Sequence, residues 1–232
     1  MTTYDIREVL PGVFRIPVPL EGNPLKELNS YLFLGSREAG TRNLLVDTGF
    51  RTEGCKKALL EGLAQLGVSM EDTDILLTHL HADHSGNAPE LIRPSGKVYI
   101  SREDYRFMDG TLQEHRSERF RENGIAEDLL QAMLACTPSR TMAAPLSFRD
   151  YTLLEEGDMI PAGRYMLRAI WTPGHTPGHF CFEVCGTGAM LLGDHVLFDI
   201  TPNITDWWDV PDSLGDYLRS LDKIAAYPVT LP

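Results

Sequence analysis

Within Thr78-His79-Leu80-His81-Ala82-Asp83-His84-Ser85-Gly86-Asn87, three imidazoles and one carboxylate fall in six consecutive positions. Neutral imidazole and carboxylate are the side chains that borderline and hard divalent cations prefer. A single histidine in such a setting is more often a core residue with its hydrogen bonds met. Four such groups buried side by side without a cation would cost on the order of 2–7 kcal/mol for each one left unsatisfied. The density therefore asks for a metal. Asp74-Ile75-Leu76-Leu77-Thr78 reads as a short buried strand and Ser85-Gly86-Asn87 as a turn. Residues two apart at a strand end face the same way, so the spacing predicts that His79 and His81 reach one ion together. Past the turn, Asp83 and His84 swing towards a second position about 3.5–4 Å away, the usual separation in a two-metal site.

Other potential ligands also stand at strand ends. Arg164 to Trp171 reads as a strand running into Thr172-Pro173-Gly174-His175-Thr176-Pro177-Gly178-His179. Prolines and glycines there fix a tight turn, with His175 at its tip as the favoured ligand and His179 opening the next strand in a structural role. Ala189-Met190-Leu191-Leu192 ends in Gly193-Asp194-His195. Asp194 can bridge two cations through its two oxygens, whereas His195 is read as a packing residue. Asn43-Leu44-Leu45-Val46 ends in Asp47-Thr48-Gly49. Asp47 is either a turn former or an acceptor that holds a ligand imidazole in its correct tautomer.

The elements that must carry these groups are a set of strands and a few helices. Val13 to Val18 reads as an edge strand because of its prolines. With Asn29 to Gly35 and Asn43 to Val46 it suggests an antiparallel start. Thr52 offers a helix cap; Cys55, Ala58, Leu59, Leu63 and Leu66 follow at helical spacing, and Gly67 stops the run. Lys97 to Ile100 is another strand. Residues from about 101 to 150 break the rhythm and read as an insertion near the site entrance, with a helix over Glu127 to Ala135. Tyr105, Phe107 and Met108 there either wall a substrate pocket or anchor the insertion, and Trp207 and Trp208 pose the same choice. A last helix runs from about Ser213 to Tyr227, with Ser213 as cap and Asp216 three residues on.

At 232 residues the chain is long enough for one large domain, and with 43% hydrophobic and 23% charged residues it is ordinary for a globular protein rather than a disordered one. A formal net charge of −12 opposes a broad electrostatic grip on nucleic acid or on an anionic membrane. No apolar run approaches the ~18 residues of a membrane span. Thr2 to Glu8 is polar and no signal-type apolar run follows, so a cytoplasmic location is expected. Cys55, Cys136, Cys181 and Cys185 lack a metal-type pairing and read as reduced thiols.

With His79-x-His81-x-Asp83-His84, Pro173-Gly174-His175 and Gly193-Asp194 all at strand ends, the sequence resembles the metallo-β-lactamase fold superfamily over nearly its whole length. The resemblance implies an α/β fold, a four-layer αββα sandwich in one domain over residues 1–232, with the site along one edge of the two sheets. It implies that His79, His81 and His175 hold a first metal, Asp83 and His84 a second, and that Asp194 bridges, with Asp47 behind the ligands. It also implies a last histidine from a strand after the final helix. The chain ends at Leu231-Pro232, where that turn would begin, so the sequence is expected to be a fragment lacking the end of the second half. The reading is then a hydrolase, nearer to the hydroxyacylglutathione hydrolase type than to periplasmic lactamases. It would use two zinc ions, with iron or manganese possible, and metal-activated hydroxide on a thioester, lactone or related small-molecule ester, with Asp83 orienting the nucleophile. The rivals are a mononuclear iron persulfide dioxygenase and a non-catalytic metal-binding module.

Overall fold

A computed structural model describes residues 5–36, 38, 40–108, 111–136, 141–198 and 200–230. Seven strands form one sheet in chain order: β1 (Arg7–Leu10), β2 (Val13–Pro19), β3 (Glu27–Phe33), β4 (Asn43–Val46), β5 (Thr73–Leu76), β6 (Val98–Ser101) and β7 (Thr152–Leu154). Pairing is antiparallel as far as β4, as the first three predicted strands suggest, and parallel from β4 to β7. A second, antiparallel sheet contains β8 (Met159–Ala162), β9 (Tyr165–Trp171), β10 (Phe180–Val184) and β11 (Ala189–Leu191).

Helix α1 (Glu53–Gln65) follows β4. Thr52 caps it by accepting the Cys55 N–H, and Gly67 takes a left-handed φ of 68° just beyond its end, as the sequence pattern requires. Its Cys55, Leu59 and Leu63 pack on the outer face of the large sheet against Ile16, Val18, Leu32 and Leu45. The alternate residues Leu44, Val46 and Leu76 point the other way and meet Leu167, Ala169, Phe180 and Phe182 of the small sheet. Helix α7 (Ser213–Ala225, after α2 to α6 below) closes the fourth layer, with Ile224 set against Ile170, Cys181 and Met190. The observed layers are α, β, β, α.

Between β5 and β7 lie the one-turn helices α2 (Ala82–Ser85) and α3 (Ala88–Leu91), then α4 (Arg102–Arg106), α5 (Thr111–Glu122) and α6 (Glu127–Ala135). The last of these occupies the range read from sequence.

Two local expectations are corrected. Strand β2 is not an edge, because β1 pairs with it; the register reaches only Arg15, so Pro17 and Pro19 lie past the end of β1, where β2 has a single neighbour. The cap of α7 is Asp212, not Ser213. Its carboxylate accepts the Gly215 N–H at 2.8 Å, and Gly215 has no side chain to block that approach. Strands β1 and β8 escape a sequence reading, the first for its polar residues and the second for Pro161. All four cysteines are free thiols. Among the described residues no helix is long and apolar enough to cross a membrane. The expectation about Leu231 and Pro232 lies outside the described residues.

Candidate metal centre

The histidine-rich stretch starts further from its strand than the strand-end argument assumed. Strand β5 stops at Leu76, and His79 to His81 occupy a loop that leads into α2. His79 and His81 therefore converge through loop geometry rather than through strand periodicity. Hydrogen bonds fix that loop. The Ser85 hydroxyl reaches the carbonyls of Leu80 and His81 at 2.9 and 3.0 Å. The Thr48 N–H and hydroxyl both donate to the His84 carbonyl, at 2.7 and 2.8 Å.

Two overlapping groups result, each with ligand atoms within 4.8 Å of one another: His79, His81 and His175, and His79, His84 and Asp194. In the first, His81 Nδ1 lies 3.1 Å from His79 Nε2 and 2.9 Å from His175 Nε2. The outward nitrogens are already engaged. His175 Nδ1 sits 2.7 Å from the Asn203 carbonyl, to which it can only donate, leaving the Nε2 lone pair facing inward. Thr78 Oγ1 donates to Asp47 and so accepts from His79 Nδ1 at 3.0 Å, which frees Nε2 in the same way. Imidazole nitrogens crowded at one point are a donor set that a cation would fit. His79 is fully buried, and burial together with His84, His81 and His175 pushes its pKa well below the ordinary value.

In the second group Asp194 divides its oxygens. Oδ1 lies 3.3 Å from His84 Nε2, and Oδ2 lies 3.4 Å from His175 Nε2 and 4.0 Å from His79 Nε2. Burial opposes charge on both partners, yet the pair outweighs it. The carboxyl of Asp194 is held far below the usual carboxylate range, and Asp194 and Asp47 hold His84 well above the usual imidazole value. Asp83 stands in neither group and lines the smaller, 380 Å³ cavity with His84 and Asp194.

Asp47 is buried behind both groups. It accepts the Thr78 N–H at 2.9 Å, the Thr78 hydroxyl at 2.8 Å and the His84 Nδ1–H at 2.8 Å. It does so with φ at +60°, a conformation that side chains other than glycine rarely hold without compensation. The turn Pro173 to His179 relies on Gly174, whose φ is +140° and where a Cβ would sit 2.4 Å from that of Tyr217. His179 is buried beneath it, with Nδ1 2.8 Å from the Thr172 hydroxyl and Nε2 accepting the Asp194 N–H. His195 is also buried, packed edge-on against Tyr217, and burial pushes its pKa down to about 4.

Sequence reading missed Asp104. It is fully buried on α4 and accepts from the Leu80 N–H (2.8 Å), the Thr176 hydroxyl (2.9 Å) and the Gly178 N–H (2.7 Å). It thus ties the loop of His79 and His81 to the turn of His175. Ser101-x-x-Asp104 looks like an ordinary capping pair, and Ser101 does cap α4, but the carboxylate turns inward instead. Equally silent in the sequence are the bonds made by Thr78 and the Asn203 carbonyl, while Trp207, read there as pocket wall or anchor, stacks on His81 at 6.1 Å and donates to the His175 carbonyl.

The family model of the metallo-β-lactamase superfamily matches residues 28–231. The chain belongs to that superfamily. A metallo-β-lactamase family protein of Thermus thermophilus is 32% identical and superposes with a TM-score of 0.80, covering 96% of this chain and 72% of that one. The lactamase-like protein adaB of Aspergillus niger is 28% identical over 95% of this chain and 53% of its own length. The atrochrysone carboxyl ACP thioesterase nsrC of Aspergillus novofumigatus is 26% identical over 83% of this chain and 46% of its own length. The chain spans about half the length of the curated relatives it matches. As in the expectation for a metallo-β-lactamase sandwich, the converging side chains sit where loops leave the ends of both sheets, and His79, His81, His84, His175 and Asp194 form a potential metal site.

Proposed function

We propose that this chain is a metal-dependent hydrolase acting on a thioester, lactone or related small-molecule ester. The observation that carries the reading is the inward-facing set of imidazole nitrogens, with His79, His84 and His175 each oriented by a bond on the other side of the ring, next to a carboxylate whose two oxygens face different histidines. His79, His81 and His175 would hold one divalent ion, and His84 with Asp83 a second, Asp194 reaching both. We assign zinc to both positions. Such ions lower the pKa of water from 15.7 to about 7 and polarise a carbonyl.

The chain's own groups do the rest. Asp83, beside His84 on the cavity wall, would orient the nucleophile. Asp47 and the Asn203 carbonyl keep ligand imidazoles in the tautomer that leaves a lone pair inward. Trp207 shields His81 from water on one side. The thioesterase among the relatives supports a thioester as the first substrate to try.

Metal analysis with a panel of thioesters, lactones and phosphodiesters tests the reading. Two zinc ions per chain with thioester or lactone turnover are expected, with Asp83→Ala lowering turnover by about 10²-fold or more while unfolding stays cooperative. A single iron with oxygen uptake on a persulfide would replace the hydrolase with a dioxygenase. Unchanged turnover in Asp83→Ala would remove Asp83 from its role.

A further inference from the structure

The larger cavity beside the site holds 1260 Å³ and is walled by the helical segment between β6 and β7 together with the loop that carries Trp207. One end is formed by His81. Its apolar wall contains Phe107, Met108, Phe148 and Trp207. Phe107 meets Trp207 edge to face at 5.4 Å, and Phe148 meets Tyr151 at 4.8 Å, so the rings brace one another as a surface.

Two cations on this wall stand out. Arg51 Nε donates to the Ala143 carbonyl and Arg149 Nη1 to the Met108 carbonyl, both at 2.9 Å, and neither forms an ion pair among the described residues. Arg119 and Arg121, on the same cavity, are by contrast paired with Asp206 and Glu127. In a chain of net charge −12, two guanidiniums left over beside an aromatic wall offer a place for an anionic group.

The lining is mixed, polar and apolar in about equal measure, and a small polar acyl group would leave most of the space and the whole aromatic wall to water. We propose that the cavity takes the body of the substrate, an aromatic or multi-ring acyl group that carries an anionic substituent, with the rings against Phe107, Phe148 and Trp207 and the anion at Arg51 and Arg149. This rests on the hydrolase reading only for which bond is broken at the His81 end.

Binding to the metal-free full chain tests the cavity without turnover. By calorimetry, 2,6-naphthalenedicarboxylate should bind at least about tenfold more tightly than succinate, which has the charges without the rings. Phe148→Ala should weaken the dicarboxylate about tenfold. Arg149→Ala, at an exposed position that does not threaten folding, should weaken it about fivefold and leave neutral 2-naphthamide unchanged. Succinate binding as tightly as the dicarboxylate, or both variants binding like the parent, overturns the proposal. If the binding results hold and the metal-loaded chain cleaves no thioester, lactone or ester, the hydrolase reading fails and the cavity assignment stands.

Discussion

The two ligand groups share His79 but are built on different physics. The group of His81 and His175 is all imidazole, and its outward contact is a neutral one, the Asn203 carbonyl. The group of His84 and Asp194 lies between two buried carboxylates, with Asp47 on one side of His84 and Asp194 on the other. The first gathers lone pairs by holding two loops together. The second attracts a cation by charge, and until one binds its two carboxylates favour the protonated form of His84. A proton competes with metal at His84, while burial and like-charged neighbours disfavour one at His79. The all-imidazole group should therefore fill first as pH rises.

Removing the shared residue gives the largest effect. His79→Ala should lose the ion held with His81 and His175 and lower turnover by about 10³-fold or more, while the ion at His84, Asp83 and Asp194 should remain, as it should in His81→Ala. Elemental analysis of the purified variants decides this. Loss of both ions in His79→Ala would mean that the two positions fill only together.

Asp47→Asn comes next, because it weakens the support of His84 directly and of His79 only through Thr78. We expect a loss of about 10–100-fold in affinity for the ion at His84 and Asp194, and a smaller loss for the other. Titration of the two ions against a chelator separates them. Equal losses would show that Thr78 transmits the change in full.

How much of this was legible in the sequence follows from the range over which each contact acts. Candidate ligands were legible where several metal-seeking types fell within a few positions, as at His79 to His84, or where a turn demanded Pro and Gly, as at Pro173 to His179. The helical spacing of Leu59 and Leu63 and the continuous apolar run Leu44-Leu45-Val46 placed the covering helix and a strand beneath it, because burial on one face or on both leaves those local patterns. Asp104 was not legible. Its three partners lie 24 and about 72–74 positions away, and nothing in Arg102-Glu103-Asp104 marks one acid as buried and the other as only half-buried. Pro17 misled for a related reason. A proline reports that a donor is missing, not how far the neighbouring strand extends.

Asp104 offers the finest test of the comparison, since it holds the two loops of the all-imidazole group and touches neither Asp47 nor His84. Asp104→Asn keeps one acceptor oxygen, so the loss of affinity at His81 and His175 should stay within about tenfold and the ion at His84 should be almost unaffected. A larger loss at His84 would break the division between the groups. A second readout comes from pH. Burial raises the Asp104 carboxyl from 3.8 to about 6 against the pull of its three hydrogen bonds. A carboxyl raised on folding favours the folded state while protonated. That contribution is complete below about pH 4 and is lost as pH climbs through about 6. Asn cannot ionise, so across that window the metal-free parent should lose up to about 3 kcal/mol relative to Asp104→Asn, measured from urea midpoints. A constant difference between the two would mean that Asp104 stays ionised in the core, its charge met in full by Leu80, Thr176 and Gly178.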